Sequence, residues 1–310
     1  MHAIIAGANK AGTTSLFRYL SDHPQVAPSQ KKETDFFLSD HWQDVADVGA
    51  RYEALFDRRN ASLVRLEASP AYLRGGRAVA ERIARTLPDA HLLFLLREPV
   101  SRLVSYLRVN AQHRYKEEVA TLDDETYVAL VERIASGPEP SGPGPLRNAF
   151  LQFERGCYAR YLQQFFDCFD DDDVLILFFD DLRRDARTLT QHVCTFLGMD
   201  PAFYGSYAFG IENRTRAHRF GPLQRAMSRL NARLEPWLNR YPAARKALRS
   251  GYGLINEQPA ARGDERRLDD RLARRLELLY RPHNEALRLL LTQRYPQLSL
   301  PGWVRGGVGP

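Results

Sequence analysis

Lys10 and Arg97 stand out for the chemistry they could do. Lys10 lies in Gly7-Ala8-Asn9-Lys10-Ala11-Gly12-Thr13-Thr14-Ser15, between the apolar run 2–6 and Leu16-Phe17-Arg18-Tyr19-Leu20. A glycine-bearing turn between a strand and a helix aims several backbone N–H groups at one point. The helix N-terminus adds a partial positive charge, so an anion is favoured there. Gly12 lets the backbone come close to a ligand. Lys10 supplies a full charge, Thr13, Thr14 and Ser15 supply hydroxyl donors, and Ala11 completes the cradle.

Gly7 and Gly12 have the separation of GxxxxGK[ST], but Thr13 stands where a nucleoside triphosphatase needs lysine. The loop keeps an anion cradle without the usual arrangement for a Mg²⁺-bound triphosphate. Taken alone, it also fits a plain strand–turn–helix with an incidental lysine. The second anion candidate follows the apolar run 91–96. Arg97 stands at its carboxyl end, where open α/β sheets bind ligands, and its planar fork suits phosphate oxygens. Ser105 lies about two helical turns past Pro99 and can add a hydroxyl. Arg97 beside Glu98 also fits a helix-capping ion pair. Together the two sites suggest a nucleotide with phosphates at both ends of its ribose.

These residues need elements to carry them. Runs 2–6, 63–67, 91–96 and 174–179 read as buried strands. Residues 16–20, 78–87, 100–109 and 185–197 read as helices, the last stopped by Gly198. Alternation of this type predicts an α/β protein, a doubly wound parallel sheet flanked by helices. Residues 136–147, rich in Pro and Gly, read as a loop inside the domain. Residues 222–290 are largely helical in pattern and rich in Arg, and the final Gly-Gly-Val-Gly-Pro reads as a frayed end.

Composition narrows the class. The hydrophobic fraction of 44% and charged fraction of 26% over 310 residues fit a folded globular chain. Net charge is +6, which could serve nucleic acid, an anionic membrane or an anionic small ligand. The Arg-rich stretch 262–275 has acids interleaved, and Leu268, Leu272 and Leu276 recur every four residues, so it reads as a docked surface helix rather than a nucleic-acid site. Cys157, Cys168 and Cys194 form neither a disulfide framework nor a CxxC zinc motif. No apolar run approaches the ~20 residues of a membrane span. The first residues show no positive n-region, which gives a cytoplasmic location as the expectation.

The motifs resemble the sulfotransferase family, in particular its heparan-sulfate-like and bacterial branch. Ala8–Leu16 resembles the family's 5′-phosphosulfate loop, whose lysine touches the transferring group. Leu96–Tyr106 resembles its 3′-phosphate motif, in which the arginine and distal serine bind. Lys32-Glu33-Thr34-Asp35-Phe36-Phe37 resembles the segment carrying the proposed catalytic base. Glu67-Ala68-Ser69-Pro70-Ala71-Tyr72 resembles a further block, with Ala68 where a lysine is often found. Residues 155–162 and 174–182 resemble the family's later helix and strand. Residues 213–219, with Arg216 and Arg219, fall where the family has a basic loop over the nucleotide.

The resemblance implies a P-loop-like fold and one sulfotransferase domain over 1–310, with a nucleotide-binding core at 1–220, a helical region at 221–300 and a tail at 301–310. It implies sulfuryl transfer from 3′-phosphoadenosine 5′-phosphosulfate (PAPS) to the hydroxyl of a small-molecule, sugar or lipid-linked acceptor, with no metal required and secondary metabolism as a setting. Lys10 would stabilise the leaving phosphate, and Glu33 would be the general base. His113, whose imidazole type titrates near neutrality, is the rival base. The alternatives are a P-loop kinase-like phosphotransferase and an inactive PAPS-binding module.

Overall fold

The computed structural model describes residues 1–39, 42, 47–56, 64–113, 123–135, 137–142, 144–210, 216–218, 257–259 and 268–306, with the side chains of 108–113, 216–218 and 257–259 outside that set. Its centre is a five-stranded, wholly parallel sheet. The strands are β1 (His2–Gly7), β2 (Val26–Pro28), β3 (Val64–Ala68), β4 (Ala90–Leu96) and β5 (Val174–Phe178), in the spatial order β2-β3-β1-β4-β5. Leu92 to Leu96 are all fully buried, as expected of a central strand covered on both faces.

Connections run α1 (Thr13–Ser21), α2 (Val48–Glu53), α3 (Tyr72–Thr86), α4 (Pro99–His113), α5 (Asp124–Ala135), α6 (Pro145–Glu154) and α7 (Tyr158–Phe166). After β5 come α8 (Phe179–Arg184) and α9 (Ala186–Phe196), then the antiparallel pair β6 (Arg216–His218) and β7 (Glu257–Pro259), and last α10 (Asp270–Arg294) and α11 (Gly302–Arg305). The chain leaves β1 towards β3 and β2, then returns to β4 on the other side of β1. That reversal creates a crevice at the carboxyl ends of β1 and β4, where open parallel sheets bind ligands.

A second apolar cluster lies among the helices. Val100, Leu103 and Leu107 of α4 pack with Tyr127 and Val131 of α5, Phe153 of α6 and Leu272, Leu276 and Tyr280 of α10. The every-fourth-residue leucines are therefore a packing face, with Leu268 packed beside them. The arginines around them are engaged: Arg271 meets Glu125, and Arg275 meets Glu125 and Glu132.

Several boundaries differ from the sequence reading. Helix α3 starts at Tyr72, six residues earlier than expected, because Gly76 takes φ 57° and lets the helix kink across Gly75-Gly76 rather than end. Helix α4 runs on to His113. Phe179 belongs to a helix and not to the strand before it. Strand β2 has three residues, too short for a periodic signal. Residues 221–256, 260–267 and 307–310 lie outside the described set, so the helical pattern is seen only in α10.

Candidate active site

The loop after β1 carries the first site residues. Gly12, with φ +90°, is the N-cap of α1, and no side chain caps that helix. Ser15 and Leu16 N–H already donate to the Gly12 carbonyl, at 3.0 and 3.2 Å, which leaves the N–H groups of Thr13 and Thr14 at the start of the helix, by the carboxyl end of β1. Thr13 is buried, and Thr14 and Ser15 are half-buried. A Cβ on Gly12 would lie 2.8 Å from the Phe179 ring, so the loop closes onto α8 and only glycine fits.

Strand register explains what lies beneath. Leu96 of β4 pairs with Phe178 of β5, which places the next residues, Arg97 and Phe179, side by side. The Arg97 guanidinium sits 4.5 Å from the Phe179 ring centroid. It also donates through Nη1 to the Lys10 carbonyl oxygen at 3.1 Å. Tyr158, fully buried, donates to the Arg97 carbonyl oxygen at 2.7 Å. Glu98 commits both carboxylate oxygens to the N–H groups of Val100 and Ser101 and so caps α4. Ser105 is half-buried on the same helix.

Lys10 and Glu33 both have left-handed backbones, φ 68° and 60°. Non-glycine residues pay for that conformation, and such residues cluster at functional sites. Burial lowers the Lys10 pKa below its ordinary 10.5. Glu33 opposes that shift, while Lys32, Arg155 and Arg102 add to it. Glu33 pairs with Lys32 at 2.6 Å, and its side chain is 56% exposed, so the contact is a weak surface bridge that a substrate can displace. The Glu33 N–H donates to the Ala68 carbonyl at 2.8 Å, tying its segment to the end of β3.

Two arginines behind the loop, Arg102 and Arg155, act electrostatically on Lys10. Arg102 is fully buried and donates through Nη2 to the Gln152 carbonyl. Arg155 reaches the Gln152 side-chain oxygen at 3.3 Å. Burial, helped by Arg74 and Arg102, pushes the Arg155 pKa down to about 10. The Nε atoms of both arginines, and Nη1 of Arg102, have no hydrogen-bond partner among the described residues. Among the described residues neither arginine meets a carboxylate, so both add positive potential on the Lys10 side.

Below the loop of Glu33 lies Glu67, fully buried. Four hydroxyls donate to it, from Thr34, Tyr52, Ser69 and Tyr72. Burial raises its pKa and those hydroxyls pull it back.

Lys10, Ala11, Gly12, Thr13, Thr14, Ser15 and Arg97 thus meet around one crevice, and Glu33 acts on Lys10 there. His113 ends α4 and its side chain lies outside the described residues, as does Arg219. Arg216 is in β6, paired with Pro259, and its side chain is likewise outside. Reasoning from sequence missed Phe179, Arg102 and Arg155 as neighbours of Arg97 and Lys10. Arg102 shares a helical face with Leu103 and Tyr106, and an arginine on an inward face is a signal that could have found it. Among the described residues no group of three or more His, Cys, Asp or Glu could hold a metal ion, and no helix is long and apolar enough to cross a membrane.

A parallel sheet with an uncapped helix, a lysine in the first loop and an arginine fork at the neighbouring strand is a P-loop-like anion-binding design. The chain belongs to the sulfotransferase family: the model for the sulfotransferase domain matches residues 1–206. It is similar to the membrane-associated sulfotransferase kil1 of Dictyostelium discoideum, 36% identical over 109 residues, covering 35% of this chain and 23% of that protein. It is also similar to human bifunctional heparan sulfate N-deacetylase/N-sulfotransferase 3, 27% identical over 216 residues, covering 68% of this chain and 24% of that protein. The chain therefore spans about a quarter of the length of these curated relatives. Among solved structures, the sulfotransferase from Alicyclobacillus acidocaldarius matches with a TM-score of 0.52 at 27% identity, covering 78% of this chain and 94% of that one.

Proposed function

We propose that this chain transfers the sulfuryl group of PAPS to an acceptor hydroxyl. The observation that carries the reading is the Arg97–Lys10 hydrogen bond, which joins the two anion motifs into one site. Arg97, with Ser105, would hold the 3′-phosphate. Lys10 and the N–H groups of the loop and of α1 would hold the 5′-phosphosulfate, and Arg102 and Arg155 would favour its negative charge.

Chemistry follows from that placement. The acceptor oxygen attacks sulfur, the bond from sulfur to the bridging phosphate oxygen breaks, and the electron pair leaves on adenosine 3′,5′-bisphosphate. Lys10 meets the charge growing on that oxygen. Glu33 takes the acceptor's proton once Lys32 is displaced. Nothing in this sequence of bond changes calls for a metal ion. The acceptor is a small molecule, a sugar or a lipid-linked molecule. The relatives' names, which include heparan sulfate enzymes, support a sugar.

The test is transfer of label from sulfur-labelled PAPS to a phenol, an unsulfated glycosaminoglycan precursor and a lipid-linked sugar. Transfer to one of them, lost in Glu33→Gln, is the expected outcome. No transfer from PAPS, with phosphoryl label moving instead from γ-phosphate-labelled ATP and only with Mg²⁺, would replace this reading with a kinase.

A further inference from the structure

Three consecutive backbone N–H groups follow Glu33 by one residue and meet three hydroxyls. Asp35 N–H donates to Ser69 Oγ at 3.0 Å, Phe36 N–H to Thr34 Oγ1 at 3.3 Å, and Phe37 N–H to the Tyr72 hydroxyl at 3.2 Å. Each hydroxyl has then used a lone pair as acceptor and has its own proton to give. All three give it to the same atom, Oε1 of Glu67, from Ser69 at 2.6 Å, from Tyr72 at 2.9 Å and from Thr34. The other oxygen of Glu67 accepts from Tyr52 at 2.9 Å, and Tyr52 receives none of the three amides.

From this relay we propose that Glu67 is a positioning residue for the transfer reaction, fixing the 34–37 backbone so that Glu33 is held beside Lys10. That role presupposes the sulfuryl transfer proposed above. A hydroxyl that donates to a buried carboxylate is oriented and polarised by it, so its lone pair faces the incoming amide more strongly. One carboxylate oxygen thereby sets the direction of three backbone bonds. The clamp also accounts for the left-handed backbone of Glu33 and Asp35 (φ 60° and 51°), a conformation that persists only where surroundings over-determine it. Glu67 itself is fully buried beneath those hydroxyls, so it acts through them.

Tyr52 supplies the control. It contacts the same carboxylate, is equally buried, and packs its ring on Phe36 and Phe37 at 5.3 and 5.1 Å. A merely structural role for the cluster predicts that Tyr52→Phe and Tyr72→Phe behave alike. A positioning role separates them.

Two readouts on the whole chain decide the matter: hydrogen exchange of the peptide covering 33–39, and release of adenosine 3′,5′-bisphosphate from PAPS with water as acceptor. In Tyr72→Phe, Ser69→Ala and Glu67→Gln, exchange of the three amides rises about 10-fold and kcat falls about 10-fold or more, with KM for PAPS within about twofold. In Tyr52→Phe both stay within about twofold of wild type, even where its melting temperature drops. Equal exchange in Tyr52→Phe and Tyr72→Phe, or wild-type kcat in Tyr72→Phe, overturns the proposal. Should wild-type protein release no product from PAPS with water or with any of the three acceptors above, the sulfotransferase reading fails instead. Unchanged exchange in Ser69→Ala and Tyr72→Phe would then still refute the clamp.

Discussion

The Arg97 guanidinium donates to the main-chain oxygen of Lys10 at 3.1 Å, across 87 residues of sequence. One side chain thus sets the shape of the loop that carries the other site's lysine. Tyr158 steadies Arg97 from behind through its carbonyl oxygen. Tyr158→Phe removes that bond and little else, so affinity for adenosine 3′,5′-bisphosphate falls about 3- to 10-fold, the worth of one neutral hydrogen bond. Calorimetric titration checks this, and unchanged affinity would show that Arg97 is held without Tyr158.

Gly12→Ala fails twice over. Its φ of +90° disfavours any side chain, and the new Cβ would lie 2.8 Å from the Phe179 ring. The expected loss is about 1–3 kcal/mol of folding stability, read as a lower denaturation midpoint, together with weaker bisphosphate binding. Adding Phe179→Leu relieves the steric part only, so the double variant recovers some of the loss. A Gly12→Ala protein of wild-type stability would mean that the loop does not close onto α8.

Lys10, the proposed partner of the 5′-phosphosulfate, costs stability. Burial lowers its pKa, so the unfolded chain binds this proton more tightly than the folded chain does. Stability attributable to this residue therefore rises with pH towards the ordinary value of 10.5 and is lost as pH falls through the lowered folded value. Lys10→Met is expected to abolish turnover while matching or exceeding wild-type stability at pH 7. The gap should narrow as pH approaches 10.5. Denaturant melts across that range test it, and a variant less stable than wild type at pH 7 would contradict it.

Leu276 is fully buried where α10 meets α4, α5 and α6. Leu276→Ala is expected to cost about 2–5 kcal/mol, seen in the denaturation midpoint. Bisphosphate affinity of the folded fraction should stay at the wild-type value, because the cluster supports the helices rather than the anion loop. A large affinity loss would show that this packing reaches the crevice.

The sequence made Lys10, Gly12 and Arg97 legible because strand–turn–helix chemistry is local and its punctuation is written in neighbouring residues. The spacing of Leu272 and Leu276 was legible for the same reason. Phe179 was not: the apolar run from Leu175 to Phe179 has no mark where strand gives way to helix, and only pairing with β4 decides it. Thr34, Tyr52, Ser69 and Tyr72 converge on Glu67 from separate elements, so their common partner exists only in three dimensions. The Glu33–Lys32 bridge was foreseeable as an ion pair between neighbours. The left-handed turn that brings Glu33 near Lys10 had no glycine to announce it.

The most direct test of the central claim is calorimetric titration of adenosine 3′,5′-bisphosphate, without Mg²⁺, into wild type and Arg97→Ala. Tight binding to wild type is expected, weakened in the variant by more than about 1.5 kcal/mol, as for a lost charged hydrogen bond. Folded wild-type protein that binds no bisphosphate, yet binds ATP when Mg²⁺ is present, would contradict it.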